Sequence, residues 1–112
     1  MNIQIDYFYK DAMRHIKNYC KKNRSPEEYV IDYILNNVVD QEGFDIWFSK
    51  KKINEPNFLI EFRTRPYESP IYSVCKLEDE TMHLMVITKK DAKKQKRFDM
   101  IEIMNKLSES PN

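Results

Sequence analysis

The hydrophobic period of this chain changes most sharply at its single glycine, Gly43. Before it, apolar residues recur every three or four positions; after it, they recur every second position. A period near 3.6 belongs to helices and a period of 2 to strands. The central part of the chain thus runs from helices into strands, an α+β order.

NIQIDYF, residues 2–8, reads as a short strand. Residues 8–22 read as a helix with Phe8, Ala12, Ile16, Tyr19 and Cys20 on one stripe and Lys10, Arg14, Lys17 and Lys21 towards the other side. The run KKNRSP ends it, because a residue before proline avoids the helical region. Ser25, Pro26 and Glu28 then mark a helix start: a capping hydroxyl, a proline suited to the first turn and a capping-box glutamate. That helix carries Val30, Ile34 and Val38 on one face and runs to about Val39, and Gly43 in DQEG marks the exit turn.

Four strands come next. In FDIWFS, Phe44, Ile46 and Phe48 alternate with Asp45, Trp47 and Ser49. In NFLIEFRTR, Phe58, Ile60 and Phe62 oppose Leu59, Glu61, Arg63 and Arg65. IYSVCKLE sets Ile71, Ser73, Cys75 and Leu77 against Tyr72, Val74, Lys76 and Glu78, and MHLMVI is apolar on both faces, as a central strand is. The expected fold is an N-terminal helical hairpin packed on a four-stranded antiparallel meander with a C-terminal helix. One domain is expected over 1–107, with 108–112 (SESPN closes the chain) as a frayed tail.

That last helix includes the most conspicuous charge run. Lys89, Lys90, Lys93, Lys94, Lys96 and Arg97 stand within nine positions, beside one carboxylate, Asp91. The run is a net +5 in a chain of +1, so the remainder carries −4. A helix over 92–107, capped by Asp91, has Phe98, Ile101, Met104 and Leu107 inward. It also sets four cations at the positive end of its dipole, which opposes them. A loop over 89–97 with a helix from Asp99 is the other reading. Either way helix stability does not account for the run, which points to solubility or to an acidic partner.

Composition excludes several function classes. One glycine in 112 residues rules out a Gly-rich phosphate loop. GxSxG and HExxH are missing, and His15 and His83 lack ligand spacing, so no catalytic residue, metal or cofactor is assigned. Cys20 and Cys75 are far apart and read as reduced thiols. At 41% apolar the chain can bury a core. With no transmembrane span and no secretory signal in MNIQIDYFYKDAM, a cytoplasmic protein is expected. An excess of Lys, Asn, Ile, Tyr and Phe reflects A/T-rich coding, as in low-GC bacteria, their phages or plasmids, and some eukaryotic viruses.

The candidate working surface is the sheet face opposite the hairpin, bearing Trp47, Glu61, Arg63, Arg65, Tyr72, Lys76 and His83. Trp, Tyr and Arg are enriched at binding hot spots and stack on bases. The alternative is that Trp47 packs under the last helix and Glu61 pairs with Lys76 across strands. Adding the basic run, the assigned contact residues are Trp47, Arg63, Arg65, Tyr72, Lys89, Lys90, Lys93, Lys94, Lys96 and Arg97.

Two function classes remain. The first is a small non-enzymatic binding protein, such as an inhibitor encoded by a phage or mobile element and acting in the host cytoplasm, engaging a protein or nucleoprotein partner. For the second, EFRTRPYESPIYSVCKLEDETMHLMVITKK followed by DAKKQKRFDMIEIM resembles the RelE and HigB type of ribosome-dependent endoribonuclease toxin. The likeness covers the C-terminal half, where short strands and a basic segment precede a final helix. It implies a metal-independent reaction in which Arg63, Arg65, Tyr72 and Lys89 or Lys90 stabilise phosphorane-like charge and relay protons from a 2′-hydroxyl. The net charge of +1 and the acidic N-terminal stretches depart from that pattern. A binder of RNA or other single-stranded nucleic acid overlaps both classes, and an exposed sheet edge offers a route to dimers.

Overall fold

A computed structural model describes residues 2–20, 23–36, 47–54, 57–63 and 69–109, with backbone only for 47–54, 57–58, 62–63 and 107–109. The elements are β1 (Asn2–Phe8), α1 (Lys10–Lys17), α2 (Pro26–Ile34), β2 (Trp47–Asn54), β3 (Asn57–Arg63), β4 (Ile71–Glu78), β5 (Thr81–Ile87), α3 (Lys89–Lys94) and α4 (Phe98–Glu109). The fold is mixed α and β. The turn at Gly43, the side chains of Phe44 and Ile46, Val38 and residues 110–112 lie outside the described residues.

The meander β2–β3–β4–β5 is antiparallel throughout. The sheet as a whole is not, which corrects the expected architecture. β1 adds beside β5 in parallel, giving the order β1-β5-β4-β3-β2. A parallel neighbour requires a long crossover rather than a tight turn. Here α1, α2 and the first three strands of the meander intervene. The pairing of β1 is therefore invisible to any local pattern.

One extra residue in β1 decides which of its side chains face the core. The register shifts between Ile5, opposite Leu84, and Tyr7, opposite Met85, leaving Asp6 as a bulge. A bulge resets which face successive side chains take. It lets Ile3, Ile5 and Phe8 all pack on the same core, a 3-5-8 spacing that strict alternation forbids. It also leaves Tyr7 on the other side, 56% exposed.

Two apolar layers sandwich the sheet. On one face Ala12 and Ile16 of α1 and Val30, Tyr33 and Ile34 of α2 pack on Ile60, Ile71, Cys75, Leu84 and Val86. On the other, Ala92 of α3 and Met100 and Met104 of α4 pack on Leu59, Tyr72 and Ile87. The face expected to be open is thus covered where Tyr72 lies, and Tyr72 is fully buried. A partner cannot reach it, so its assignment as a contact residue is withdrawn.

The local signals behave as capping chemistry requires. Ser25 Oγ accepts from Glu28 N at 3.2 Å with Pro26 at the first position of α2. Arg24 reaches Asp32 and lies 5.7 Å from the Tyr29 ring centre, tying the start of α2 to its second turn. Cys20 and Cys75 are free thiols, and burial pushes the Cys20 thiol up from its ordinary pKa.

Candidate functional site

The basic run is neither part of one long helix nor a loop: it holds the short helix α3, and a second helix, α4, begins at Phe98, beside the expected start at Asp99. Thr88, not Asp91, caps α3: Thr88 Oγ1 accepts from Asp91 N at 3.2 Å, and the Asp91 carboxylate accepts from Thr88 N at 3.1 Å. The helix ends one turn later in a Schellman arrangement. Lys96 N donates to Lys93 O at 3.1 Å and Arg97 N to Ala92 O at 2.8 Å. Lys96 takes the left-handed position, φ 55°, that glycine usually fills. Lys93 and Lys94 therefore occupy the last turn of a helix, where cations are favoured. The expected conflict with the helix dipole is relieved for Lys93 and Lys94 but persists for Lys89 and Lys90 in the first turn of α3 and for Arg97 directly before α4. In α4, Met104 is fully buried and Ile101 packs partly buried beside it, both as expected; Met100 joins them, while Phe98, expected inward, is 69% exposed.

Asp91 has a second role that brings distant segments together. Its Oδ1 accepts from Asp11 N at 2.8 Å and its Oδ2 from Ala12 N at 3.0 Å. Those are open donors of the first turn of α1, whose own N-cap residue, Tyr9, supplies no side-chain cap. One buried carboxylate thus caps two helices whose sequence positions are 80 apart. The Thr88 hydroxyl lies 2.8 Å from Asp11 Oδ2 and 3.0 Å from Asp91 Oδ2, with one proton for the two. Burial works against the Asp11 charge, but hydrogen bonds from Arg14 and Thr88 and the charges of His15 and Arg14 outweigh it. They hold Asp11 below its ordinary pKa.

This junction sets α1 and α3 side by side and opens a cleft of about 330 Å³ between them. Tyr7, Tyr9, Lys10, Arg14, Lys90 and Lys94 line it. The Tyr7 and Tyr9 rings are 4.5 Å apart, tilted by 56°. Lys10, Lys90 and Lys94 are exposed, and among the described residues none of them is in an ion pair. The two carboxylates of the cleft are committed inward, Asp91 to backbone donors and Asp11 to Arg14 at 2.8 Å. Positive charge is what the cleft shows to solvent.

A second cleft, also about 330 Å³, adjoins the first. It shares Asp11, Arg14 and Lys90 with it and continues past His15, Lys89 and Ser69.

The assigned contact residues divide accordingly. Lys89, Lys90 and Lys94 line the clefts. Lys93 and Lys96 are exposed but line neither. Arg97 is tied to Asp99, with both contacts at 3.3 Å, and also reaches Tyr9; the Asp99 hydrogen bond leads in raising its pKa. The Trp47 and Arg63 side chains and all of Arg65 lie outside the described part, although the backbones of Trp47 and Arg63 are paired across β2 and β3. Glu61 stands opposite Tyr72 rather than Lys76, which pairs with Glu78 at 3.3 Å. His83 is held by Asp6 at 3.1 Å. Tyr7, Tyr9, Lys10 and Arg14 were not expected at a site. The one signal within reach was Thr88-x-x-Asp91, which has capping-box spacing and places a helix start at Lys89.

No family model, curated protein or solved structure matches this chain. Among the described residues no group of His, Cys, Asp and Glu is arranged to hold a metal ion, and no helix is long and apolar enough to cross a membrane.

Proposed function

We propose that this is a small non-enzymatic binding protein whose working surface is the groove between α1 and α3, and that it engages a polyanionic partner there. The observation that carries the reading is convergence. Lys10 and Arg14 come from one end of the chain and Lys90 and Lys94 from the other, and they meet around an exposed tyrosine. Arg14 is already paired with Asp11, but the three lysines are exposed and in no ion pair among the described residues, and their mutual repulsion is a cost that a polyanion would relieve. A cytoplasmic setting, and a role as an inhibitor carried by a phage or mobile element against a host protein or nucleoprotein, extend this proposal. The toxin likeness lends it less, because the Tyr72 that would relay protons is sealed beneath α4.

The test uses heparin as a generic polyanion. Lys90→Ala/Lys94→Ala removes two groove charges; Lys93→Ala/Lys96→Ala removes two charges outside it. The groove variant is expected to elute from immobilised heparin at clearly lower salt than the control, despite equal net charge. Co-elution of the two variants would sink the reading.

A further inference from the structure

Resting on that groove, we infer that its partner is a single-stranded nucleic acid, with a base stacked on Tyr7 and consecutive phosphates held by Lys90, Lys94 and Arg14. Three features select this ligand over an acidic peptide or a duplex. First, the cations adjoin an aromatic surface. Tyr7 presents more than half of its area to solvent and is backed by Tyr9 at 4.5 Å. A carboxylate-rich peptide gains little from such a face, whereas every unpaired base has a π-face to lay on it. A duplex hides those faces.

Second, the groove is double. Each cleft, at about 330 Å³, is near the lower end of the range for small-molecule sites, roughly 300–1,000 Å³, the scale of a single nucleotide. Arg14 and Lys90 stand on the wall common to both, where a phosphate linking two nucleotides would lie. A repeating ligand suits a repeating site. Third, the net charge of the chain is only +1, too little for a protein that coats duplex through its general field. Local contacts with a short strand need no such field.

Asp11 and Asp91 do not oppose this placement. Asp91 is 4% exposed and its oxygens face the amides of Asp11, Ala12 and Thr88, while Asp11 is neutralised by Arg14. Arg14, 62% exposed in its side chain, keeps donors for a phosphate on its outer side.

The experiment is fluorescence anisotropy with labelled twelve-residue oligouridine and oligothymidine, a twelve-base-pair duplex and a labelled oligoglutamate, across a salt series. The single strands are expected to bind more tightly than the duplex or the peptide; the uridine and thymidine arms separate RNA from DNA. Tyr7→Ala is expected to weaken single-strand binding by about 5- to 150-fold and to leave the salt slope unchanged. Tyr7→Trp is expected to keep it. Lys90→Ala is expected to lower the slope by about 0.7, one phosphate contact. Circular dichroism of each variant checks that the fold is kept. Oligoglutamate or duplex binding as tightly as the single strands, or indifference to Tyr7→Ala, would overturn the inference. If the heparin difference holds and no oligonucleotide binds, the strand is wrong and the groove stands; if both fail, both are wrong.

Discussion

Asp91 shows how much one residue can decide. Its carboxylate accepts backbone hydrogen bonds at the starts of α1 and α3, and both oxygens are used. Replacing it by alanine leaves three amide donors open in a buried place. Asp91→Ala is expected to cost about 2–4 kcal/mol in urea unfolding, more than an ordinary cap of about 1 kcal/mol. Asp91→Asn, keeping one acceptor, is expected to fall between. Tyr33 is a second residue-scale case. Burial first, and then the neighbouring Tyr29, raise its pKa from the ordinary 10.0. The folded state therefore holds the neutral phenol more strongly than the unfolded chain does. That contribution is complete below pH 10 and is lost as pH climbs above it. Urea midpoints measured from pH 8 to 11 are expected to fall above pH 10, and to fall less steeply in Tyr33→Phe.

At the scale of elements, short backbone motifs carry the wrong residues for their geometry. The β4–β5 hairpin turns through Asp79, φ 50°, and Glu80, φ 63°, the pattern of a two-residue type I′ turn. Asn-Gly fits that turn without the steric cost that a Cβ brings at positive φ. Asp79→Asn/Glu80→Gly is expected to stabilise the protein by about 1 kcal/mol, read as a rise in Tm. No change or a fall would mean that these side chains have partners worth more than the backbone strain. The α3–α4 break is of the same kind, with Lys96 where glycine usually stands. Nothing in Lys-Gln-Lys-Arg announces a helix end, so the break itself has no local signal, whereas the inward set of α4 does: Met104 and Ile101 pack as their spacing predicts, and only Phe98 at the helix start does not.

Over the whole molecule the decisive fact is that α3 and α4 cover the second face of the sheet where Leu59, Tyr72 and Ile87 lie, while Lys76 on that face stays exposed. A bare face would make the residues under α4 indifferent to truncation. With Met104 fully buried against Leu59, Tyr72 and Ile87, Met104→Ala is expected to cost about 2–5 kcal/mol in chemical denaturation. A cost near zero would return that face to solvent and make Tyr72 a contact residue again.

Residue spacing and capping chemistry suffice for the local order: a strand over Asn2–Phe8, a helix through Ala12 and Ile16, a helix started by Ser25 and Pro26, then strands of period 2. These rest on interactions within a few residues, where spacing and capping chemistry act directly. Long-range packing alone sets β1 parallel to β5, seals Tyr72 beneath α4, and brings Lys10 and Arg14 to Lys90 and Lys94. A hydrophobic period tells that a face is buried but not against what. A basic run shows that charge is concentrated but not which distant cations it joins. Here that choice was made by Asp91, reaching across 80 positions to the open amides of another helix.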